Sequence, residues 1–390
     1  MAGRTAAPGR PRTRYGATTP RSTGSRSSPA HASGRCNPAP ASSSTTSGAP
    51  SGPSPWTTRS AARSSVKAAV PATRFTELVG CELPLQLAPM GTVGTAELVA
   101  AVANAGAHGM FAGVMVPPPA LRHVIDRIGW LTGGPFGINF LVPLIDPECV
   151  EIAAHGAGLV EFFYGDPDPA LVARVHGADG LASWQVGSEA EASRAVAAGC
   201  DVIVVQGIEA GGRLRGTAPL LPLLERVLRA VAGQVPVVAA GGIATAHGVR
   251  GVLDAGAAAA RVGTRFIAAQ ESGAHPAYVE AVVRAGALDT VITDKFSVMW
   301  PPGPSPARVL RSCVAAAERL AEDYAGAIPA GGGMLPLPRF AAPAPGRQAT
   351  GTIEAMAMYA GVSAGEVRRV EPARAIVSEL TSPRSSSSAG

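Results

Sequence analysis

The sequence predicts an α/β protein, specifically a (β/α)8 TIM barrel with a carboxyl-terminal helical extension. Short apolar runs alternate with longer alanine-rich runs of helical periodicity, at spacings of about 20–30 residues, as successive βα units require. Several short runs, such as VIVVQ at 202–206, are apolar throughout, which suits parallel strands buried on both faces. Eight such units within about 200 residues favour a closed barrel, with an open doubly wound sheet as the alternative.

The predicted elements follow one another as strand and then helix. The predicted strands are 85–90, 109–115, 136–141, 159–163, 181–186, 201–206, 236–240 and 260–266. The predicted helices are 95–105, 119–130, 147–155, 169–176, 188–198, 219–231, 245–255 and 276–285. Beyond residue 287 the alternation stops, and the pattern predicts a helix over 305–325, a Gly/Pro loop over 331–346 and a short helix over 352–359.

Charge and composition divide the chain into a tail and a folded body. Residues 1–76 contain ten Arg, one Lys and no Asp or Glu, which leaves 22 basic and 28 acidic residues in the remainder. The pI of about 9.2 therefore describes the tail and gives no reason to predict nucleic-acid binding. Because residues 1–70 are rich in Ser, Pro and Arg and poor in large apolar residues, we predict that they are disordered. A targeting segment and a start codon assigned too far upstream are alternative interpretations.

The remaining boundaries follow from where the βα alternation begins and ends. We assign 71–287 to the barrel, 288–378 to a helical extension that packs on it, and 379–390 to a second disordered tail. The five cysteines are scattered without CxxC or CxxxC spacing, so no metal site is predicted. Long uncharged runs are broken by Gly, Pro and Gln, so no membrane span is predicted, and a cytoplasmic protein with reduced cysteines is the default expectation.

Glycines end the seventh and eighth predicted strands. Gly241 and Gly242 follow the seventh strand, and Gly263 and Thr264 lie at the end of the eighth. Glycine lets the backbone approach an anion closely, and free amide groups at helix starts donate to phosphate. Because the turns after strands 7 and 8 commonly form the phosphate site of such barrels, the pair predicts a phosphorylated cofactor. The alternative is that these glycines only permit tight turns.

Three other strand ends carry candidate binding residues. Pro89, Met90 and Gly91 form a bent end of the first strand that suits a flat ring, although a plain turn explains them equally well. Asn139 and Gln185 are amides among apolar neighbours, and each needs a hydrogen-bond partner if it is buried. A cofactor atom and a backbone carbonyl are the two alternatives for that partner.

The loop after the sixth strand, 207–216, combines Glu209, paired glycines and two arginines. Gly212 allows a close approach of the backbone, and Arg213 and Arg215 are expected to attract an anionic substrate or the cofactor phosphate. The alternative is a solvated charged loop.

The chain resembles the nitronate monooxygenase family, formerly grouped as 2-nitropropane dioxygenases and related to flavin-dependent enoyl-acyl-carrier-protein reductases. The resemblance covers about 74–378 and rests on motifs that appear in order. These are LAPMGTVGTAELVAAVANAG from Leu87, FGINF from Phe136, WQVGSEAEASRAVAAGCDVIVVQGIEAGG from Trp184, AAGGIATAHGV from Ala239, VGTRFIAAQES from Val262 and ATGTIEAMAMYAG from Ala349.

The resemblance implies an FMN-binding barrel and a role for each matching residue. It implies that Pro89, Met90 and Gly91 lie beside the isoalloxazine ring and that Asn139 and Gln185 hydrogen-bond the flavin. It implies that five residues hold the phosphate, namely Gly212, Gly241, Gly242, Gly263 and Thr264. The implied reaction is the oxidation of an alkyl nitronate, a small organic anion, by O2 to a carbonyl compound and nitrite, with the flavin performing the redox step.

One position departs from the family pattern. The family's loop usually reads EAGGH, with the histidine as base or electrostatic partner, and Arg213 stands at that position here. Arginine keeps its proton at ordinary pH, so it is a poor general base but still a cation. The histidines outside the tail, including His108, fall mostly in helices or loops and are interpreted as surface or packing residues. Two alternatives therefore stay open, an NAD(P)H-dependent flavin enoyl-thioester reductase and a catalytically impaired flavin-binding accessory protein. The sequence does not define the oligomeric state.

Overall fold

A computed structural model describes residues 72–383. The predicted disordered tail at 1–70 lies outside the described residues, and so does most of the predicted tail at 379–390.

Eight parallel strands form the predicted TIM barrel, which is confirmed. Barrel strands 1 to 8 are Leu85–Leu87, Gly109–Ala112, Phe136–Leu141, Leu159–Phe163, Leu181–Val186, Val202–Gln206, Val237–Ala240 and Ala259–Val262. Each strand pairs in parallel with the next, and strand 1 pairs with strand 8. A parallel bridge between Gln86 and His108 joins strands 1 and 2, so the sheet closes on itself.

Helices follow the barrel strands and cover their outer face. They are Ala96–Asn104, Pro118–Leu131, Pro147–Gly156, Pro169–His176, Glu189–Ala197, Leu220–Val231 and Ala246–Asp254, with Thr264–Ile267 and Pro276–Arg284 after strand 8. Apolar residues on the outward side of the strands, such as Leu87, Ile138 and Val205, pack with these helices into one core. This double burial explains why the strands read as continuous apolar runs. Among residues 72–383, no helix is both long and apolar enough to cross a membrane.

A short amino-terminal helix, Arg74–Val79, covers the amino-terminal ends of the strands. Its Phe75 is fully buried and packs with interior barrel residues, including Met110 and Val238. The Thr73 hydroxyl donates to the Ala258 carbonyl at 2.6 Å, just before strand 8. The helix therefore closes one end of the barrel and leaves the carboxyl ends of the strands for a ligand.

The extension at 288–378 contains helices as predicted, but it also contains strands that the sequence pattern did not indicate. Its helices are Arg311–Arg319 and Ala373–Leu380. Its strands are Thr290–Thr293, Ala307–Leu310, Tyr324–Ala330, Gly333–Pro338 and Thr350–Gly351. The prediction of one helix over 305–325 is therefore wrong at both ends, because strands form at 307–310 and from residue 324.

Long-range pairing explains these differences from the prediction. The strand Ala307–Leu310 pairs with Thr290–Thr293 and with the two-residue strand Gly212–Arg213 of the loop after barrel strand 6. Strand partners that are distant in the same chain override local helical propensity, and a local sequence pattern does not reveal them. The predicted loop at 331–346 instead begins with a hairpin turn, in which Gly331 and Gly332 both have positive φ, as a tight two-residue turn requires.

The carboxyl-terminal boundary also differs from the prediction. The helix Ala373–Leu380 continues past residue 378, and Leu380 is buried. The predicted short helix at 352–359 is only a 3-10 turn, Ile353–Ala355, because the chain after it pairs through the bridge between Val309 and Tyr359. The buried Arg265 donates to Glu371 and Glu379, and these ion pairs attach the last helix to the barrel.

Replacing Phe75 by Ala is expected to lower the free energy of unfolding by about 3–5 kcal/mol, because it empties a fully buried aromatic position in the barrel interior. Urea denaturation measures this change. The matched control is Leu78→Ala in the same helix, where the side chain is 40% exposed, and it is expected to cost less than about 1.5 kcal/mol. Equal losses for the two variants would contradict the role assigned to the helix.

Candidate functional site

The glycine turns after barrel strands 7 and 8 are brought side by side, as the sequence predicts. The two strands pair directly, with Ala240 opposite Arg261, so the turns that follow are neighbours. Gly241 has φ +123°, and a Cβ placed there would lie 3.1 Å from the Gly207 carbonyl oxygen. A Cβ on Gly263 would lie 3.2 Å from the Ala88 Cβ. A Cβ at either position would therefore crowd the neighbouring strand end, after strand 6 or strand 1, and glycine permits the close approach.

We call the two glycine turns after strands 7 and 8, with Thr264, the cradle. A segment of the extension contacts this cradle. The Thr264 hydroxyl accepts a hydrogen bond from the Gly361 amide at 3.0 Å, which leaves the hydroxyl hydrogen free to donate. A Cβ on Gly211 would lie 2.5 Å from the Gly361 nitrogen, so the loop after strand 6 packs against the same segment. Gly361 belongs to one of the matching motifs, but the sequence did not indicate that it reaches this site.

Backbone donors remain available at the cradle. Within residues 72–383, no acceptor pairs with the amide groups of Gly242, Ile243 and Thr264. Gly212, with φ +81°, has open space where a Cβ would stand. Unpaired amides beside glycine turns are the arrangement in which proteins hold phosphate groups.

The end of barrel strand 1 lies beside the cradle. The strand ends at Leu87, earlier than predicted, and Pro89 and Met90 continue as a half-buried bend. The Met90 Sδ lies 3.7 Å from the position of a Cβ on Gly263. Gly91 then begins a 3-10 turn. The three predicted ring-contact residues are therefore next to the predicted phosphate residues.

A surface cleft of about 590 Å³ opens elsewhere. It is lined by residues of the loop after strand 1, the loop after strand 8 and the extension, including Thr92, Glu271 and Arg347, and by none of the predicted binding residues. We therefore assign the candidate site to the strand ends and not to this cleft.

Asn139 and Gln185 both contact a buried ion pair that the sequence analysis missed. Arg261 of strand 8 donates to the Glu161 carboxylate of strand 4, and both side chains are almost completely buried. The Asn139 Nδ2 donates to Glu161 at 2.9 Å, and the Gln185 Oε1 accepts from Arg261 at 2.8 Å. The partners of the two amides are thus side chains rather than backbone carbonyls. Opposite charges inside the apolar runs LVEFF and AARVG were the signal that would have revealed the pair.

His108 belongs to the same interior layer and is a packing residue. Gln86 accepts two hydrogen bonds from Arg261, and its amide nitrogen lies 3.2 Å from the His108 Nδ1. Burial, together with the nearby Arg261 charge, lowers the pKa of His108 to about 3. The imidazole is therefore neutral at ordinary pH and accepts from Gln86.

Arg213 is fixed by protein groups in the loop after strand 6. Its guanidinium donates to the backbone carbonyls of Ser305 and Phe296 and stacks on the Trp300 ring, with 4.2 Å between Cζ and the ring centroid. The side chain is buried, its Nε has no hydrogen-bond partner, and no carboxylate within residues 72–383 forms an ion pair with it. The Asp294 carboxylate lies in the same region, where it accepts from the Ser305 amide, but it does not pair with Arg213.

Three half-buried aromatic rings surround this guanidinium. Tyr164 follows strand 4 and packs edge-on against Trp300, while Tyr359 lies in the extension with its ring 5.9 Å from the Arg213 Cζ. Desolvation raises the pKa of Tyr359 to about 12, although Arg213 opposes the shift, and desolvation also raises the pKa of Tyr164. Neither phenol supplies a base at neutral pH. The sequence analysis missed all three rings.

Arg215 does not serve the predicted role of attracting an anion. Its guanidinium donates to Glu191 at 2.5 Å and to Asp166 at 2.8 Å, so two carboxylates already neutralise it. Glu209 accepts from the Leu220 amide, at the start of the following helix. Both charged side chains therefore fix the loop, and only Arg213 contributes an unneutralised charge.

Comparisons with known proteins show the family and the fold to which the chain is similar. A family model described as nitronate monooxygenase matches residues 72–383. The chain is 36% identical to a Mycobacterium tuberculosis protein named (3aS,4S,5R,7aS)-5-hydroxy-7a-methyl-1-oxo-octahydro-1H-indene-4-carboxyl-CoA dehydrogenase. This match extends over 242 residues, which are 62% of this chain and 66% of that protein. The chain is 34% identical over 270 residues to a Pseudomonas aeruginosa nitronate monooxygenase, covering 57% of this chain and 77% of that one. The solved structure of FabK from Thermotoga maritima superposes with a TM-score of 0.64 at 28% identity, covering 80% of this chain and 95% of that chain.

Because His108 is neutral in the folded protein but protonates near pH 6.5 when unfolded, it stabilises the fold fully above that pH. This stability is lost as the pH falls from about 6.5 towards 3. Between pH 7 and pH 5 the expected loss from this one group is about 2 kcal/mol. Urea denaturation at the two pH values measures it.

The variant His108→Gln removes the titrating group and is expected to lose about 2 kcal/mol less than wild type over the same interval. His247→Gln, at an exposed position, is the control and is expected to keep the wild-type pH dependence. An unchanged pH dependence in His108→Gln would show that His108 is not held neutral by the fold.

Proposed function

The chain belongs to the nitronate monooxygenase family, and we propose that it is an FMN-dependent oxidoreductase that oxidises alkyl nitronates with O2 to a carbonyl compound and nitrite. The family and its named relatives are oxidoreductases, so the chain is an enzyme. The cofactor, the substrate and the residues that bind them are the proposed part.

The cradle supports the assignment of FMN. Glycines let the turns after strands 7 and 8 pack closely on their neighbours, since a Cβ on Gly241 would crowd the Gly207 carbonyl and one on Gly263 would crowd Ala88. The amides of Gly242 and Thr264 and the Thr264 hydroxyl hydrogen are donors that a phosphate accepts. Pro89 and Met90 follow strand 1, which adjoins strand 8, and Asn139 and Gln185 lie in the barrel interior on strands 3 and 5; the isoalloxazine ring of a bound FMN would contact these residues. When bound, the flavin supplies the electron transfer between substrate and oxygen.

The unneutralised charge of Arg213 is the observation that carries the substrate assignment. A buried guanidinium without an acidic partner stabilises an anion in its surroundings, since the low local dielectric strengthens the attraction. A nitronate brings such a negative charge. Two of the five N–H groups of Arg213 donate to backbone carbonyls and the side chain is buried, so we assign its main role to electrostatic attraction and to fixing the Trp300 ring.

The same site lacks an evident base for a neutral carbon acid. Arg213 keeps its proton, Tyr164 and Tyr359 are phenols with raised pKa values, and Glu209 is bonded to the Leu220 amide. We therefore propose that the enzyme takes preformed nitronates and does not generate them from nitroalkanes.

A second candidate function is redox chemistry on an acyl thioester. The relative from Mycobacterium tuberculosis is named as a CoA dehydrogenase and is 36% identical. A thioester enolate is also an anion, so the Arg213 charge suits this chemistry as well. The chain spans only 66% of that relative, and the observations at Arg213 do not require a thioester, so nitronate oxidation remains the first candidate.

With FMN-loaded protein in oxygen-uptake assays, ethylnitronate is expected to give a kcat/KM at least about 100-fold above that of neutral nitroethane, because a missing general base typically costs 10²–10⁴-fold. Arg213→His is expected to raise the nitroethane rate by supplying a base. Arg213→Gln is the matched control, since it removes the charge without adding a base, and it is expected to slow ethylnitronate turnover and leave nitroethane slow.

Three outcomes would contradict this proposal. Comparable wild-type rates on nitroethane and ethylnitronate would overturn the absence of a base. Rapid anaerobic bleaching of the flavin by NADPH, with no nitronate turnover, would favour thioester chemistry. Bound flavin that reacts with neither reagent would favour an impaired flavin-binding protein.

Gly241→Ala is expected to weaken FMN binding by about 5- to 150-fold, because an alanine at φ +123° is strained by about 1–3 kcal/mol, its Cβ would crowd the Gly207 carbonyl, and the turn must shift to relieve this. Titration of the apoprotein with FMN, followed by flavin fluorescence, gives the Kd. Gly251→Ala is the control, because its Cβ would meet no atom within 4 Å in the helix that follows, and FMN affinity should not change. Equal affinity in the two variants would argue against the cradle.

A further inference from the structure

We propose that the buried pair of Arg261 and Glu161 fixes the orientation of two side-chain amides, so that Asn139 presents its oxygen and Gln185 presents its NH2 group to the flavin ring. Arg261 and Glu161 are then positioning residues that act through Asn139 and Gln185. The inference rests on the proposed FMN site and adds to it the polarity of each contact.

The contacts run from the pair to both amides without an intermediate. Arg261 Nη1 lies 2.8 Å from Glu161 Oε1 and 2.8 Å from Gln185 Oε1. Asn139 Nδ2 lies 2.9 Å from the same Glu161 oxygen. All four residues are buried in the barrel interior, and Asn139 pairs in register with Glu161.

The charges decide which end of each amide turns inward. An arginine side chain has only donors, so a side-chain amide beside it turns its oxygen towards it. An ionised carboxylate has only acceptors, so the amide beside it turns its nitrogen towards it. Gln185 is consequently left with its NH2 group free, and Asn139 with its oxygen free, and within residues 72–383 neither of these atoms has a hydrogen-bond partner.

The third amide in this layer obeys the same rule. Gln86 turns its oxygen to Arg261, and its nitrogen therefore faces the His108 Nδ1 at 3.2 Å. The His108 Nδ1 must therefore accept this hydrogen bond, which requires a neutral imidazole. Burial and the Arg261 charge keep His108 neutral. The donor and acceptor pattern is thus consistent from Arg261 through Gln86 to His108.

The resulting pattern matches the polarity of an oxidised flavin. The isoalloxazine ring has several acceptors, N1, O2, O4 and N5, but a single ring donor, N3–H. A free acceptor on Asn139 suits that donor, and a free NH2 group on Gln185 suits one of the acceptors. If either amide turned over, a donor would face a donor or an acceptor would face an acceptor, which costs about 1–3 kcal/mol per contact.

The experiment compares FMN with N3-methyl-FMN, which has no N3–H donor, by Kd on apoprotein. Wild type is expected to bind N3-methyl-FMN at least about tenfold more weakly than FMN, since one buried hydrogen bond is lost. The double variant Arg261→Gln with Glu161→Gln removes both charges and leaves neither unpaired. It is expected to bind FMN at least about fivefold more weakly and to reduce the preference for FMN to less than about threefold, because the amides are then free to turn.

Ser183→Ala is the matched control. Ser183 is fully buried opposite Glu161 in the strand register, and its hydroxyl has no hydrogen-bond partner within the described residues. Its removal is expected to leave both the FMN affinity and the preference unchanged, which separates the amide effect from a general disturbance of the barrel interior.

Two single variants keep the test decisive if the double variant does not fold. Asn139→Leu is expected to abolish the preference for FMN over N3-methyl-FMN, and Gln185→Leu to weaken both ligands equally and keep the preference. The reverse pattern, or an unchanged preference in the folded double variant, overturns the inference while the FMN proposal stands. A wild-type protein that binds neither flavin overturns both.

Discussion

The ion pair between Arg261 and Glu161 is the constraint around which the barrel interior is built. The two side chains come from strands 8 and 4, on opposite sides of the barrel, and their charges lie where almost no solvent reaches them. Losing one partner of such a pair typically costs about 3–5 kcal/mol, so each charge requires the other. The remaining donors and acceptors of the pair are satisfied by amides from strands 1, 3 and 5, which ties five strands into one network.

This network lies in the barrel interior, and segments of the extension contact the candidate site at the carboxyl ends of the strands. The segment at Gly361 bonds to Thr264, and the carbonyls at 296 and 305 hold the Arg213 guanidinium. The strand Ala307–Leu310 pairs with the loop that carries Arg213. The extension is therefore part of the candidate site, because it contacts the turn at Thr264 and holds Arg213, which forms no ion pair within the described residues.

The barrel and its glycine turns were predictable from the sequence because their signals are local. Apolar strands repeat at βα spacing, and Gly241, Gly242 and Gly263 stand at strand ends where the backbone must stay uncovered. The ion pair was not predicted, since Glu161 and Arg261 are 100 residues apart and only the closed barrel brings them together. The hairpin and strands of the extension were missed for the same reason: their partners are distant in the chain, and alanine-rich segments there also suit a helix.

The contacts of Arg213 in the fold differ from those that its position in the sequence motif predicts. From the motif alone, the arginine replaces a histidine and is expected to bind an anion through free donors. In the fold two of those donors are occupied by backbone carbonyls and the guanidinium stacks on an aromatic ring, so the proposed role of the side chain rests mainly on its charge. A fixed cation lowers the energy of a negative charge nearby but moves no proton. Under the proposed function, the arginine keeps an electrostatic role without proton transfer, and the proposed substrates are therefore ones that arrive as anions or become anionic without help from this residue.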